Sequence, residues 1–594
     1  MYTKLTKKQI EIKKDFIKNY INSHNAASGS LFDSNANVSS KNIATMEAEL
    51  NKDINIQVNR ELVSSKIKEL FGEELSNEYI RQIEDHEIYV HDETSLKPYC
   101  VSVSMYPLLL DGLTKLGGES KAPKHLASYC GSFVNFLFSV SSQFAGAVAT
   151  VEFLLYFDYF AKKDYGDNYL ETHGDIVKNE LQHVIYAINQ PAAARGYQSV
   201  FWNISLYDRP YFDSMFGTFI FPDSSAPKYD TLDKLQKFFM AFFNKEREKA
   251  VLTFPVVTVA MLTKDKEVYD DNFADFCAKE LSEGNSFFVY QSDSADSLAS
   301  CCRLRNEISD NTFSYSLGAG GVSTGSINVI TINMNRLIQK NIDLGVMIDN
   351  IHKYQVAYRS IVEDYKNAKM LPVYDAGFIS LDKQFLTIGI NGMVEAAEFL
   401  GIEISDNAEY KNFINDNLKI IYDKNKEAKV KYGYMFNTEF VPAENLGIKN
   451  ANWDRKDGLF VPRDCYNSYF YIVEDESQNL IDKFSLHGND YIKFLDGGSA
   501  YHCNLSEYPT KEGFRKLLNV GARTGCNYFC FNIKVTICNA CDYINKQTKQ
   551  ECVKCGSKDV DYGTRIIGYL KRITNFSKDR QIEEKQRYYG KTKV

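Results

Sequence analysis

Two periodicities alternate along most of the chain. Short runs dense in β-branched and apolar residues, such as FPVVTVAML (Phe254 to Leu262) and INVITINM (Ile327 to Met334), predict buried strands. Between such runs, apolar residues recur at three- and four-residue intervals. Leu232 to Ala250, Val346 to Lys369 and Ala408 to Val430 therefore predict helices. This alternation runs from about His91 to Lys534 and predicts an α/β core. The residues before it read as helical and charged. In NRELVSSKIKELF (Asn59 to Phe71), Leu62, Val63, Ile67 and Leu70 are expected to share one face. No internal repeat or low-complexity tract interrupts the pattern. After Lys534 the texture changes: four cysteines fall within 18 residues, and residues 561–594 then carry 9 basic and 4 acidic side chains.

The longest uncharged stretch lies between His125 and Glu152. Of the 20 residues from Ser132 to Val151, 12 are apolar and five are Ser or Thr, too polar a mixture for a membrane span. A buried segment of a large core is expected instead. The opening MYTKLTKKQIEIKKDF has no apolar h-region and does not read as a signal peptide. A cytoplasmic protein without a membrane partner is the expectation.

Composition narrows the classes further. With 594 residues, 44% hydrophobic and 13% aromatic, the chain can bury a large core, which excludes disorder over most of it. Only 12 prolines exclude long Pro-rich linkers. The net charge of −8 lacks the basic excess that drives phosphate-backbone binding, so no nucleic-acid partner is expected. Thirteen cysteines point to metal or redox chemistry in a reducing compartment.

Cys538, Cys541, Cys552 and Cys555 spell C-x2-C-x10-C-x2-C, two pairs at knuckle spacing. Four thiolates around Zn2+ close the coordination sphere and leave no position for water, so the site predicts a structural ion. An iron–sulfur cluster takes the same ligands and is the rival reading. A zinc ribbon alone is equally compatible with a non-catalytic nucleic-acid-binding protein.

Just after the ribbon comes YGTRIIGYLKRITNF, with Arg565, Gly568 and Tyr569. A lone glycine reads as a turn. Here the R-x-x-G-Y pattern near the C-terminus resembles the glycyl-radical motif. With the ribbon upstream, it is similar to the anaerobic (class III) ribonucleoside-triphosphate reductases. SCCRL (Ser300 to Leu304), TGSINVITIN (Thr324 to Asn333), LTIGINGMVEAAEFLG (Leu386 to Gly401) and VPAEN (Val441 to Asn445) follow that family's order.

The resemblance implies a ten-stranded α/β barrel of two antiparallel-packed five-stranded halves, with a C-terminal zinc ribbon and radical loop. It implies a barrel over 91–534, a ribbon over 535–560, and a radical loop and tail over 561–594. Many relatives carry an N-terminal ATP cone, but the helical segment over residues 1–90 shows no matching signature, and the cone is expected to be absent. Gly568 would store the radical, because a side chain would crowd a planar, conjugated Cα. Cys302 would form the transient thiyl that takes the ribose 3′ hydrogen. Cys100 would face the other side of the sugar and deliver reducing equivalents as the 2′ hydroxyl leaves. Glu444 would relay a proton, or else be a helix-start or surface carboxylate. Cys130, Cys277 and Cys465 are expected to be buried small hydrophobes.

Two positions depart from the formate-using members, which carry Met and Asn where this chain has Ser300 and Ser326. A thioredoxin-like or glutaredoxin-like reductant is therefore expected in place of formate. Asn328 is the residue that would restore a formate reading by supplying the missing amide. Cys301 is an auxiliary redox candidate, although adjacent cysteines rarely reach unstrained disulfide geometry. The resemblance further implies a homodimer, dNTP or ATP effectors, and a separate radical-SAM activase supplying S-adenosylmethionine and a 4Fe-4S cluster. The Gly-rich LGAGG (Leu317 to Gly321) is assigned no site.

Overall fold

The computed structural model describes residues 4–30, 41–191, 198–295, 299–300, 304–305, 323–440, 445–565 and 569–591. Among these, the sheet is built from two parallel halves. The first contains β1 (Cys100–Ser102), β2 (Val148–Ala149), β3 (Trp202–Tyr207), β4 (Val256–Lys264) and β5 (Phe288–Ser292), each parallel to the next. The second contains β6 (Thr324–Asn333), β7 (Gln384–Asn391), β8 (Met435–Phe440), β9 (Gly498–Ser499), β10 (Tyr501–Leu505) and β11 (Tyr528–Ile533). Neighbours within this half are again parallel. Only Ala500 separates β9, which pairs with β8, from β10, which pairs with β11. These two segments act as one stave and join the ends of the sheet. The halves meet antiparallel at β6–β1 and at β11–β5. The result is the ten-stave barrel of two opposed five-stranded halves that the resemblance implied.

Residue alternation explains which face turns inward. On β7, Leu386, Ile388 and Ile390 are fully buried on one side, and Thr387 and Gly389 occupy the other. Register pairs Thr438 of β8 with Ile388 and Asn437 with Thr387. Asn425, on the helix Ala408–Tyr432, donates to Thr438 Oγ1 at 2.9 Å, while its Oδ1 lies 2.8 Å from His352 Nε2 on the helix Leu344–Asn367. Helices thus cover the Ile388 face, and Thr387, Asn437 and their row face the barrel interior. Each fully buried Leu or Ile on the covered face contributes roughly 1.5–3 kcal/mol.

The helical expectations hold at Tyr229–Glu246, Leu344–Asn367 and Ala408–Tyr432. The N-terminal face is corrected in part. The helix Lys52–Phe71 packs through Val63, Ser64 and Ile67, whereas Leu62 and Leu70 are exposed. Its partners are the helices Glu73–Glu84 and Leu344–Asn367, and Ser64 bonds Ser76 of the first at 2.8 Å beside the Val63/Ile67 stripe. Leu62 is turned about 100° from its neighbour Val63, and Leu70 lies in the last turn. The uncharged stretch divides between a buried helix, Leu126–Ser142, and β2. No helix among the described residues is long and apolar enough to cross a membrane. Cys130 and Cys277 are buried, and Cys465 is partly exposed.

Beyond the barrel, β12 (Val535–Cys538), β13 (Ile544–Asn545), β14 (Val560–Thr564) and β15 (Lys571–Arg572) form a separate antiparallel sheet. Its small core is Val535, Ile537, Ile544 and Leu570, with Val251 packed against it.

Candidate active site and metal centre

Cys100 opens β1, and the chain closes around it because two neighbours lack side chains. A Cβ on Gly146 would stand 2.6 Å from Cys100 Sγ, and one on Gly325 would stand 2.3 Å from Cys100 O. Neither contact is sterically tolerable. In their place, the thiol accepts the Ala147 N–H at 3.4 Å, and Gly146 N donates to Tyr99 O at 2.6 Å.

Cys100 lies opposite Ser326 in the antiparallel β1–β6 junction. Ser326 Oγ shares a 2.8 Å hydrogen bond with Thr387 Oγ1, and Thr387 is the register partner of Asn437. A polar row therefore crosses four staves on the interior face: Cys100, Ser326, Thr387 and Asn437. A β-bulge between Ser326 and Asn328 re-aims the chain here. It puts Asn328 in register with Leu386, on the helix-covered face, so Ser326 and Asn328 lie on opposite faces. Asn328 Oδ1 is buried without a hydrogen-bond partner among the described residues.

Asn437 is a residue the sequence reading did not single out. It is fully buried, and neither its amide nitrogen nor its oxygen has a partner among the described residues. A buried, unpaired amide costs on the order of 1–3 kcal/mol, which a ligand in the barrel would relieve. The available signal was the Asn-Thr-Glu triplet at 437–439, polar residues inside a strand just before VPAEN.

Arg565 and Tyr569, the described residues on either side of 566–568, lie at the same end of the barrel. The strands of the first half are parallel, so Cys100 and the residues that precede β2 to β5 share one rim. Arg565 Nε donates to Ser286 Oγ at 3.0 Å and Nη2 to Ser286 O at 3.2 Å, just before β5. Asn532 Oδ1 accepts the Arg565 N–H, and Asn532 Nδ2 donates to Arg565 O, both at 3.0 Å. On the far side, the Tyr569 ring meets Phe201 and Phe254 at centroid distances of 5.1 and 5.4 Å, just before β3 and β4. Gly568 itself lies in residues 566–568, outside the described residues.

Cys301 and Cys302 also lie outside the described residues, as does Glu444 in 441–444, which follows β8. On either side of 301–303, Ala299–Ser300 and Leu304–Arg305 pair antiparallel. Ala299–Ser300 lies against β3 and β4.

Near the opposite rim, Glu152 follows β2 and is fully buried. Burial pushes its carboxyl up to about 8, opposed by the Met105 N–H that Oε2 accepts at 2.8 Å and by Ser104. Oε1 has no partner among the described residues, as expected of a protonated acid in an apolar site.

In the ribbon, the four sulfur atoms of Cys538, Cys541, Cys552 and Cys555 all lie within 4.8 Å of one another. Cys538 and Cys555 are 3.6 Å apart, and Cys541 and Cys552 are 3.7 Å apart. A tetrahedron with zinc–sulfur bonds of about 2.3 Å has edges of about 3.8 Å. The cluster therefore fits a four-thiolate ion. Each knuckle turns on a 3.1 or 2.8 Å backbone bond, Asp542 N to Cys538 O and Gly556 N to Cys552 O, and Lys554 N donates to Cys552 Sγ.

Comparison with known proteins agrees with this architecture. The profile of the anaerobic ribonucleoside-triphosphate reductase family matches residues 47–589. The chain belongs to that family. An anaerobic ribonucleotide reductase structure aligns at 26% identity and TM-score 0.86, covering 98% of this chain and 93% of the other. The Thermotoga maritima anaerobic ribonucleotide reductase, in complex with dATP and CTP, aligns at 26% identity and TM-score 0.82, covering 98% and 100%. A Roseburia inulinivorans structure concerned with 1,2-propanediol dehydration shares the fold at TM-score 0.50 and 10% identity, covering 98% and 78%. No curated protein sequence gives a significant match. The family and the fold make the chain an oxidoreductase of ribonucleotides.

Proposed function

We propose that the chain reduces ribonucleoside triphosphates to 2′-deoxyribonucleoside triphosphates by a glycyl/thiyl radical route, with a dithiol protein as final reductant. The observation that carries this reading is the shared rim: Arg565 and Tyr569, which flank residues 566–568, are anchored at the end of the barrel where Cys100 begins β1. Once installed, an unpaired electron on Gly568 supplies hydrogen-atom abstraction through a thiol.

The chain's own residues do the rest. Cys302 takes the ribose 3′ hydrogen and returns it after the 2′ carbon is reduced. Glu444 accepts the 3′ hydroxyl proton while the 2′ hydroxyl leaves as water. Overall, the Cys100 thiol and the auxiliary Cys301 thiol give up two hydrogens and two electrons and end as a disulfide, while Cys302 ends as it began and passes the unpaired electron back to Gly568. A thioredoxin-like or glutaredoxin-like dithiol reduces that disulfide and is itself oxidised. Asn437 presents an amide to the bound nucleotide, and Ser326 orders the interior row beside Cys100. Zinc held by Cys538, Cys541, Cys552 and Cys555 fixes the ribbon and takes no part in the chemistry.

The reductant assignment is supported by Ser326 in place of an amide and by the bulge that sets Asn328 on the other face. Cys301 is the auxiliary thiol in exchange with the redoxin. A homodimer, deoxynucleotide or ATP effectors, and a radical-SAM activase that carries the 4Fe-4S cluster and S-adenosylmethionine complete the system. That the Thermotoga maritima protein holds dATP and CTP supports the nucleotide substrate and effector classes.

The test is anaerobic electron paramagnetic resonance after treatment with an activase. The wild type should give a doublet lost in air, with cleavage at Gly568. Gly568→Ala should fold and give neither, and an undiminished doublet in that variant would remove the assignment. Turnover with formate alone, and none with a thioredoxin system, would overturn the reductant reading.

A further inference from the structure

Among the described residues, a buried cation beneath the ribbon lacks a counter-charge. Arg247 caps the C-terminus of the helix Tyr229–Glu246 and is buried. Its Nη1 donates to Ser286 O at 2.8 Å, and its guanidinium stacks 4.0 Å from the centroid of Phe243. Nε and Nη2 have no partner among the described residues. The carboxylates around it are committed elsewhere. Glu246 accepts from Gln182, Tyr186 and Lys249, Glu248 pairs with Lys546 at 2.8 Å, and Glu280 accepts from Asn285.

The charge that does reach Arg247 has the same sign. Arg565 donates to the same carbonyl, Ser286 O. Burial, with the adjacent Arg565 adding to it, holds the Arg247 guanidinium well below the usual arginine range. Nearby buried arginines are handled differently: Arg587 and Arg580 share Glu583. Leaving a cation in the interior without a partner is strongly unfavourable, and the dipole of one helix C-terminus offsets only part of that.

Arg247 also lines a cavity of about 30 Å3, together with Asn244, Asn285, Ser286, Asn532 and Leu570. A space of ~10–15 Å3 holds one water, so this cavity accommodates a single small ion but no nucleotide or phosphate ester.

We propose that this cavity binds one small monovalent anion of chloride size, held by Nε and Nη2 of Arg247. The ion neutralises the Arg247–Arg565 pair. Because Ser286 holds Arg565 at the barrel rim, occupancy couples to that anchoring. This site does not depend on the radical reading and is assigned by charge and space alone.

The competing occupant is a water bridging Arg247 to Asn244 Oδ1, another buried atom without a partner among the described residues. Two measurements separate them on the full chain. Crystals equilibrated in sodium bromide should show an anomalous peak within hydrogen-bond distance of Arg247 Nε and Nη2. In solution, the thermal midpoint should be higher in sodium chloride than in sodium gluconate at matched ionic strength. Arg247→Met should abolish that difference, whether or not its own midpoint moves. Arg247→Lys, which keeps the charge but loses the fork, should need roughly tenfold more chloride for half the effect. A cavity without a bromide peak, or a midpoint equal in chloride and gluconate, overturns the proposal in favour of water.

Discussion

The barrel and the ribbon are ordered by different physics. The barrel draws on an apolar core that spans nearly the whole chain, and its ten staves are closed by one short break at Ala500. The ribbon has four buried apolar residues of its own and three short hairpin contacts. So small a core cannot offset the entropy of ordering some 40 residues at about 1–2 kcal/mol each. The four thiols must supply what the core lacks. The barrel, by contrast, rests on that large core, and its interior carries Asn437, unpaired among the described residues, and the close approach around Cys100.

Removing the metal should therefore separate the two regions, and this is the largest effect expected. With zinc bound as proposed, Cys538→Ser or a strong chelator should remove folding free energy on the order of 10 kcal/mol from the ribbon. Zinc content should fall from one ion per chain to none, and turnover should vanish. The far-ultraviolet circular dichroism of the barrel should be largely kept. Loss of the whole fold would show that the barrel depends on the ribbon, contrary to the comparison.

Next in size is Cys100→Ser. The change is nearly isosteric on a buried strand, so both regions should stay folded and zinc-loaded. Turnover should fall by at least about a thousandfold, more than ~4 kcal/mol in the barrier. Activity near wild type would move the reducing thiol away from β1.

Gly146→Ala sharpens the same site from its neighbour. The added methyl meets Cys100 Sγ at 2.6 Å, so the thiol or the Gly146 backbone must shift. A displacement of about 1 Å in a reacting group costs on the order of 10²-fold. Rate should fall by about that much with zinc content unchanged, and an unaffected rate would mean the Cys100 position is not critical.

Much of this division is legible in the sequence. The four-cysteine spacing is local, so sequence alone located the cluster whose sulfur atoms converge here. The ten-stave barrel came from ordered motifs, because alternation alone predicts α/β layers without saying how they close. The row from Cys100 to Asn437 was only half visible. Asn437 is brought to Cys100 by register across three strand junctions spanning more than 300 residues, and no periodicity encodes that. Leu62 and Leu70 failed for a similar reason: an apolar face is buried only where a partner helix reaches it. Arg247 carries no sequence signal, since a helix-terminal arginine ordinarily reaches solvent.

The smallest effect on turnover, and a test of the barrel alone, comes from Glu152. Burial raises its folded pKa to about 8, while an unfolded glutamate titrates near 4.5. The folded state therefore binds a proton that the unfolded state releases. Its contribution is most favourable below pH about 4.5 and is lost progressively as pH rises toward 8, by up to about 1.4 kcal/mol per pH unit. Glu152→Gln keeps the acceptor for Met105 N–H and removes the titration. Relative to wild type, its thermal midpoint should thus gain steadily from pH 5 to pH 8, with zinc content unchanged. A midpoint difference independent of pH would place the ionised carboxylate in the folded barrel, which its unpartnered Oε1 argues against.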